Sequence, residues 1–168
     1  MPLNPLVSQK TGITEEQLVK LIHDDVQGIF TTMVGIEDLL HLPIQVDAQT
    51  HFNDCITAMV GFAGTYDGIL NLHVPQTLAL SFTSSMLGME VTELGEDVSD
   101  ALGEIANMIA GSFKQHLSRG GNDIHLSTPS IVTGKEYVLS SGSAGDTLTL
   151  LFDTCEQWFM VSIVIVAE

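Results

Sequence analysis

Apolar residues recur every three to four positions after Leu18, a spacing that predicts an amphipathic helix in the first part of the chain. The helix is expected to begin at Thr14, because Thr14 and Gln17 have the spacing of a capping box. Ile13 and Leu18 stand where a hydrophobic staple would support that start. The periodicity continues to about Val34, so one side of this helix should pack against a core.

The next segments favour two strands joined by a tight connection. Residues 55–62 and 68–74 are mostly apolar and flank the turn-rich segment 63–67, which is the pattern of a hairpin. Pro75 then opens a second helix that Gly88 closes, because proline suits the start of a helix and glycine suits the residue that follows one.

A third helix is predicted from about Asp97 to Leu117, with carboxylates at its start, where the helix dipole favours negative charge. The segment Gly120–Asn122 should end it. Three strands follow, at Ile124–Thr133, Thr147–Phe152 and Trp158–Val166. Helix followed by strands therefore occurs twice, which suggests two similar halves. The predicted fold is α+β, with long helices packed on one face of a mostly antiparallel sheet.

The charge of the chain excludes several classes of partner. Five Lys and Arg residues stand against 21 Asp and Glu among 168 residues, a formal net charge of −16. Such a surface repels nucleic acid and anionic membranes. The most apolar stretch, Trp158–Ala167, is far shorter than the roughly 20 residues that span a bilayer. We expect a single cytoplasmic domain over residues 1–168, without a secretory signal at the N-terminus.

The residue types that bind metals are too scattered to form a site. Cys55 and Cys155 are isolated from each other, and the six histidines show no HxH, HxxH or HExxH spacing. We therefore expect no metal held by this chain alone.

The third helix carries the candidate chemistry. At about 100° per residue, Asp100, Glu104, Asn107 and Gly111 share an arc of roughly 60°. Glycine costs about 1 kcal/mol relative to alanine inside a helix, so Gly103 and Gly111 suggest that a partner's backbone approaches this helix closely. The apolar residues of the same helix gather on the opposite side: Val98, Leu102, Ile105, Ala106, Ile109, Phe113 and Leu117.

The stretch from Asp100 to Gly111 resembles the D/S-x-x-x-E-x-x-N-x-x-x-G signature of the CheC/CheX/FliY family of chemotaxis phosphatases. The order of elements over about residues 14–166 is also similar to that family. CheC-type members repeat the motif on the first helix, where this chain has acidic residues but no E-x-x-N. The chain therefore most resembles the single-motif CheX branch.

This resemblance implies a phosphatase that acts on the aspartyl phosphate of a CheY-like response regulator. An acyl phosphate hydrolyses readily, so the catalyst mainly has to place a water molecule in line with phosphorus. Asn107 would orient that water and Glu104 would form an ion pair with the regulator's lysine. Asp100, Gly103 and Gly111 would contact the regulator, which would also supply Mg²⁺.

A homodimer joined through strand edges is also expected. The apolar strand Trp158–Val166 would be an aggregation hazard as a bare edge. The resemblance to CheX-like proteins, which form dimers, also implies a dimer.

Two other functions stay open. A domain of this kind could bind a response regulator or a flagellar-switch component without hydrolysing anything, although docking alone would not require the Asn107 amide. A hydrolase or metal protein of another class could use Asp100, Glu104 and a histidine. His116 lies well around the helix from that stripe, and the chain has no G-x-S-x-G motif.

Overall fold

A seven-stranded antiparallel sheet with helices packed on one face forms the described part of the molecule. The computed structural model describes residues 8–9, 11–37, 39–42, 51–118, 121, 123–139, 146–154 and 156–166. The helices are α1 (Glu15–Ile29), α2 (Gln76–Leu87) and α3 (Glu96–Leu117), and a π-helical segment, Phe30–Val34, extends α1. The strands are β1 (Leu40–Leu42), β2 (His51–Gly64), β3 (Asp67–Pro75), β4 (Ile124–Leu126), β5 (Ser130–Val138), β6 (Asp146–Asp153) and β7 (Trp158–Val166).

The helix boundaries follow the local signals in the sequence. The Gln17 backbone N–H donates to Thr14 Oγ1 at 3.2 Å, and the Thr14 N–H donates to Gln17 Oε1 at 3.0 Å, which confirms the capping box of α1. Pro75 precedes α2, and Gly88 ends it in the left-handed conformation with φ 65°. Such a φ favours glycine because it has no Cβ. None of the helices described is long and apolar enough to cross a membrane.

The order of strands reveals an internal symmetry. It runs β1-β6-β7-β3-β2-β4, and β5 lies beside β2 on the same side as β4. One half consists of α1 and β1 to β3, and the other of α3 and β4 to β7. Strand β1 of the first half pairs with β6 of the second half, and β4 and β5 of the second half pair with β2 of the first half. Strands β3 and β7 pair with each other at the centre of the sheet. The two similar halves suggested by the sequence are thus present in the topology.

The hydrophobic core lies between the helices and one face of this sheet. Alternate strand residues reach it, such as Leu70, Leu72 and Val74 of β3. All the α3 residues predicted to face inward are buried: Val98, Leu102, Ile105, Ala106, Ile109, Phe113 and Leu117.

Several predictions about the strands need correction. Ile124–Thr133 is two strands rather than one, because Ser127–Pro129 separates β4 from β5. The short strand β1 was not predicted. The apolar strand β7 is paired with β3 and β6 on its two sides, so it is not a bare edge and cannot be the reason for dimerisation. Gly120 and Asn122 of the predicted helix end lie outside the described residues.

Candidate active site

The exposed side of α3 carries the predicted stripe. The side chains of Asp100, Glu104 and Asn107 are exposed, whereas nearly every apolar residue of the helix is buried. Glu104 and Asn107 are three residues apart, which places them about 4.5 Å from each other along the helix axis and on the same face. A carboxylate and an amide therefore point outward together from a rigid, well-packed element.

These side chains are not used by the fold. Within the described residues, Asp100, Glu104 and Asn107 form no side-chain hydrogen bond and no ion pair. Carboxylates and amides without an internal partner keep their full hydrogen-bonding capacity for another molecule. The stripe has the chemistry of a binding site for cationic and hydrogen-bonding groups.

The two glycines of the motif have different surroundings. Gly103 is buried, and a Cβ added to it would lie 3.4 Å from Pro129 Cβ and 3.9 Å from Ile131 Cδ1. The prediction that Gly103 contacts a partner is therefore wrong, because it faces the connection into β5. A Cβ at Gly111 would have no heavy atom within 4 Å. Internal packing does not require glycine at position 111, so it stays a candidate for close approach by a partner.

A family model described as Chemotaxis phosphatase CheX matches residues 56–153, which include the whole of α3. The chain belongs to the chemotaxis phosphatase CheX family. It is also similar to the CheY-P phosphatase CheX of Thermotoga maritima, with 26% identity over 128 residues that cover 76% of this chain and 82% of that relative.

Solved structures of chemotaxis proteins share the fold. A chemotaxis protein from Desulfovibrio vulgaris Hildenborough aligns with a TM-score of 0.79 at 23% identity, covering 92% of this chain and 99% of that one. CheX in the CheX–CheY–BeF3–Mg²⁺ complex from Borrelia burgdorferi aligns with a TM-score of 0.73 at 18% identity, covering 90% and 98%. At these identities the comparison concerns the fold alone.

The histidine on α3 has a structural partner in this CheX-family protein. His116 Nε2 lies 2.6 Å from Asp25 Oδ2, and this contact joins α3 to α1. His116 is thus engaged with α1 rather than with the Asp100–Asn107 stripe. Within the described residues no group of three or more His, Cys, Asp or Glu side chains could hold a metal ion.

Helix α1 occupies the place of α3 in the other half of the CheX fold. Asp24 and Gln27 then correspond to Glu104 and Asn107, so α1 has a shorter acid and a longer amide. Asp24 Oδ1 also lies 3.1 Å from His23 Nδ1. Only the α3 pair therefore has the E-x-x-N residues. The correspondence follows from equal spacing of buried residues, with Leu18, Ile22, Val26 and Ile29 matching Val98, Leu102, Ala106 and Ile109.

Proposed function

We propose that this CheX-family protein hydrolyses the aspartyl phosphate of a CheY-like response regulator. The observation that carries the proposal is the pair of exposed side chains, Glu104 and Asn107, which have no partner within the described residues although the opposite side of their helix is committed to the core. The Thermotoga maritima relative is a CheY-P phosphatase, which supports the same substrate.

Asn107 positions the attacking water in this proposal. Its side-chain oxygen accepts a hydrogen bond from the water and directs it in line with the phosphorus–oxygen bond that breaks. The amide is not a strong base, but hydrolysis of an acyl phosphate depends more on geometry than on deprotonation of the nucleophile. A helix packed along the core holds the amide in place and reduces the entropy lost on forming the reactive arrangement.

Glu104 anchors the regulator through an ion pair with the lysine beside its phosphorylation site. Asp100 lies one turn away and contributes negative charge at the rim of the same stripe. Gly111 leaves room for the regulator's backbone. In this proposal the regulator supplies the Mg²⁺ ion that neutralises the phosphoryl oxygens.

The competing function is a module that binds the regulator without hydrolysis. Release of ³²P-phosphate from labelled CheY-like regulators, with Mg²⁺ and with or without this protein, separates the two. We expect accelerated release with at least one regulator of the same cell. Tight binding with no acceleration for every regulator would favour the binding module.

The predicted dimer and location complete the proposal. We propose that two copies pair through β5, because β5 pairs with β2 and with no other described strand. Unpaired strand edges are templates for another strand. The proposed substrate is a cytoplasmic regulator, so the predicted cytoplasmic location is part of the same proposal.

A further inference from the structure

The segment that leads into α3 exposes three large apolar side chains. Leu87, Met89 and Leu94 are 47%, 59% and 39% exposed, and they are half of the large hydrophobic residues exposed in the described part of the chain. Single exposed apolar residues are common on protein surfaces, but several within one short segment indicate a contact surface. We name residues 87–97 the docking loop; this segment runs from the last residue of α2 to the first two residues of α3.

The docking loop is held in place by α2. The Val91 N–H donates to Ser84 Oγ at 2.9 Å, and the Met89 N–H donates to the Ser84 carbonyl at 3.3 Å. Val91 itself packs partly against the core. Because the middle of the loop is anchored, Met89 and Leu94 are exposed in a defined conformation rather than at a frayed end.

Negative charge surrounds these apolar side chains. The carboxylates of Glu90, Glu93, Glu96 and Asp97 are all exposed, and they form no ion pair within the described residues. A shallow groove of about 390 Å³ is lined by Met89 together with these carboxylates. The surface that fits such a groove has an apolar side chain flanked by lysine or arginine.

The docking loop lies within reach of a partner bound at Glu104. Glu96 and Glu104 are eight residues apart on one helix, which is about 12 Å along its axis. A standard protein interface buries about 800 Å² on each partner, a patch roughly 30 Å across. Asp97 and Asp100 continue the exposed stripe from Glu104 towards the loop. A regulator centred on the active pair would thus cover part of the docking loop.

We infer that the docking loop is a second contact surface for the same response regulator and determines which regulator binds. This inference rests on the proposed function. The occupant is the regulator's face beside its phosphorylation site, with an apolar side chain inserted into the groove beside Met89 and an apolar contact to the exposed Leu94. Basic residues around that side chain pair with the carboxylates of the loop.

The test measures the affinity of a regulator activated with beryllofluoride and Mg²⁺ for the intact protein and its variants. Met89→Ser combined with Leu94→Ser should weaken binding about tenfold and raise KM, with kcat unchanged at saturation, because the loop touches no reacting atom. Ile69→Ser is the matched control. Ile69 is 37% exposed on the helix-free face of the sheet and should leave the affinity unchanged.

Charge provides a second measurement that does not depend on apolar substitution. Glu90→Gln with Glu93→Gln should weaken binding at low salt and reduce its dependence on salt concentration. Wild-type affinity retained in both double variants would overturn the docking loop and leave the proposed function standing. An equal loss in Ile69→Ser would also overturn it. A wild-type protein that neither binds nor dephosphorylates any regulator would instead contradict the proposed function.

Discussion

Glu104 and Asn107 have different roles in the proposed mechanism, so their loss should have different effects. Asn107→Ala should lower kcat about 100-fold, a typical cost of losing reactive geometry, while the variant still binds the beryllofluoride-loaded regulator. Glu104→Ala should weaken binding as well as turnover, because its carboxylate anchors the complex. Both residues are exposed and alanine is the best helix former, so the melting temperature should hardly change. Full activity in Asn107→Ala would eliminate the mechanism.

Helix α1 offers a control with the same chemistry. Asp24→Ala combined with Gln27→Ala removes a carboxylate and an amide at the positions that correspond to the active pair. We expect wild-type kcat and KM, since α1 lacks the E-x-x-N residues. Loss of activity in this variant would mean that α1 takes part in the reaction.

His73 is a buried residue whose charge affects stability rather than catalysis. The His73 Nδ1 lies 2.8 Å from Thr57 Oγ1, and Thr57 Oγ1 lies 2.8 Å from the Tyr137 hydroxyl oxygen. The Phe52 ring stacks on the His73 ring, with their centroids 4.3 Å apart. Burial lowers the pKa of His73 to about 4 and raises the pKa of Tyr137 to about 12. The neutral imidazole is therefore the form that the folded state accommodates.

The pH dependence follows from the lowered pKa of His73. Its unfolded-state pKa is near 6.5, so between pH 6.5 and 4 the unfolded state binds more protons than the folded state. The free energy of unfolding therefore keeps the full contribution of the neutral His73 above pH 6.5 and loses it as the pH falls towards 4. We expect a loss of about 2 kcal/mol in unfolding free energy from pH 7.5 to 5. Urea unfolding at each pH measures it, and His73→Asn should show a smaller loss. Equal losses in the two proteins would contradict the assignment.

At the scale of elements, α3 has two tasks on opposite faces. Its outer face presents the active pair, and its inner face packs on the sheet. There the rings of Phe113 and Phe62 pack edge to face, with their centroids 5.7 Å apart. Gly103 lies against Pro129 at the connection into β5, so the motif glycine serves packing here. The position of the active pair thus depends on the contacts of α3 with strands.

Truncation of Phe113 tests that dependence. Phe113 is 2% exposed, so Phe113→Ala should lower the free energy of unfolding by about 3–5 kcal/mol through lost burial and a cavity. Gln115→Ala, at an exposed position of the same helix, should change it by less than about 0.5 kcal/mol. Chemical denaturation of the three proteins gives the comparison. A cost below 1 kcal/mol for Phe113→Ala would show that α3 does not pack as described.

At the scale of the whole molecule, the two halves exchange their outer strands across a central β3–β7 pair. This arrangement places the most apolar strand in the middle of the sheet and leaves β5 paired with β2 alone among the described strands. A second copy aligned along β5 would continue the sheet.

Light scattering tests the proposed dimer. We expect the mass of two chains at tens of micromolar. Val138→Lys should shift the equilibrium towards the monomer, because Val138 is 58% exposed at the end of β5 and lysine on an edge opposes strand pairing. A monomeric wild-type mass at that concentration would contradict the dimer.

The sequence alone determined the features that depend on neighbouring residues. The capping box at Thr14, the boundaries of α2 and the outward stripe of α3 follow from spacings within one helix, and the structure confirms each of them. The E-x-x-N residues lie on one turn of the same helix, so the resemblance to the family signature also depends on neighbouring residues alone. Local hydrogen bonds and helical periodicity are sufficient for such predictions.

Only the tertiary structure decided the features that join distant parts of the chain. Gly103 meets Pro129 through packing that no helical wheel contains. The central position of β7 comes from its pairing with β3, which lies far away in sequence. Strand patterns predict that a segment is extended but not which strand lies beside it, because pairing is chosen by burial of the whole sheet face. The exposure of Met89 and Leu94 in the segment before α3 depends on the same assembly.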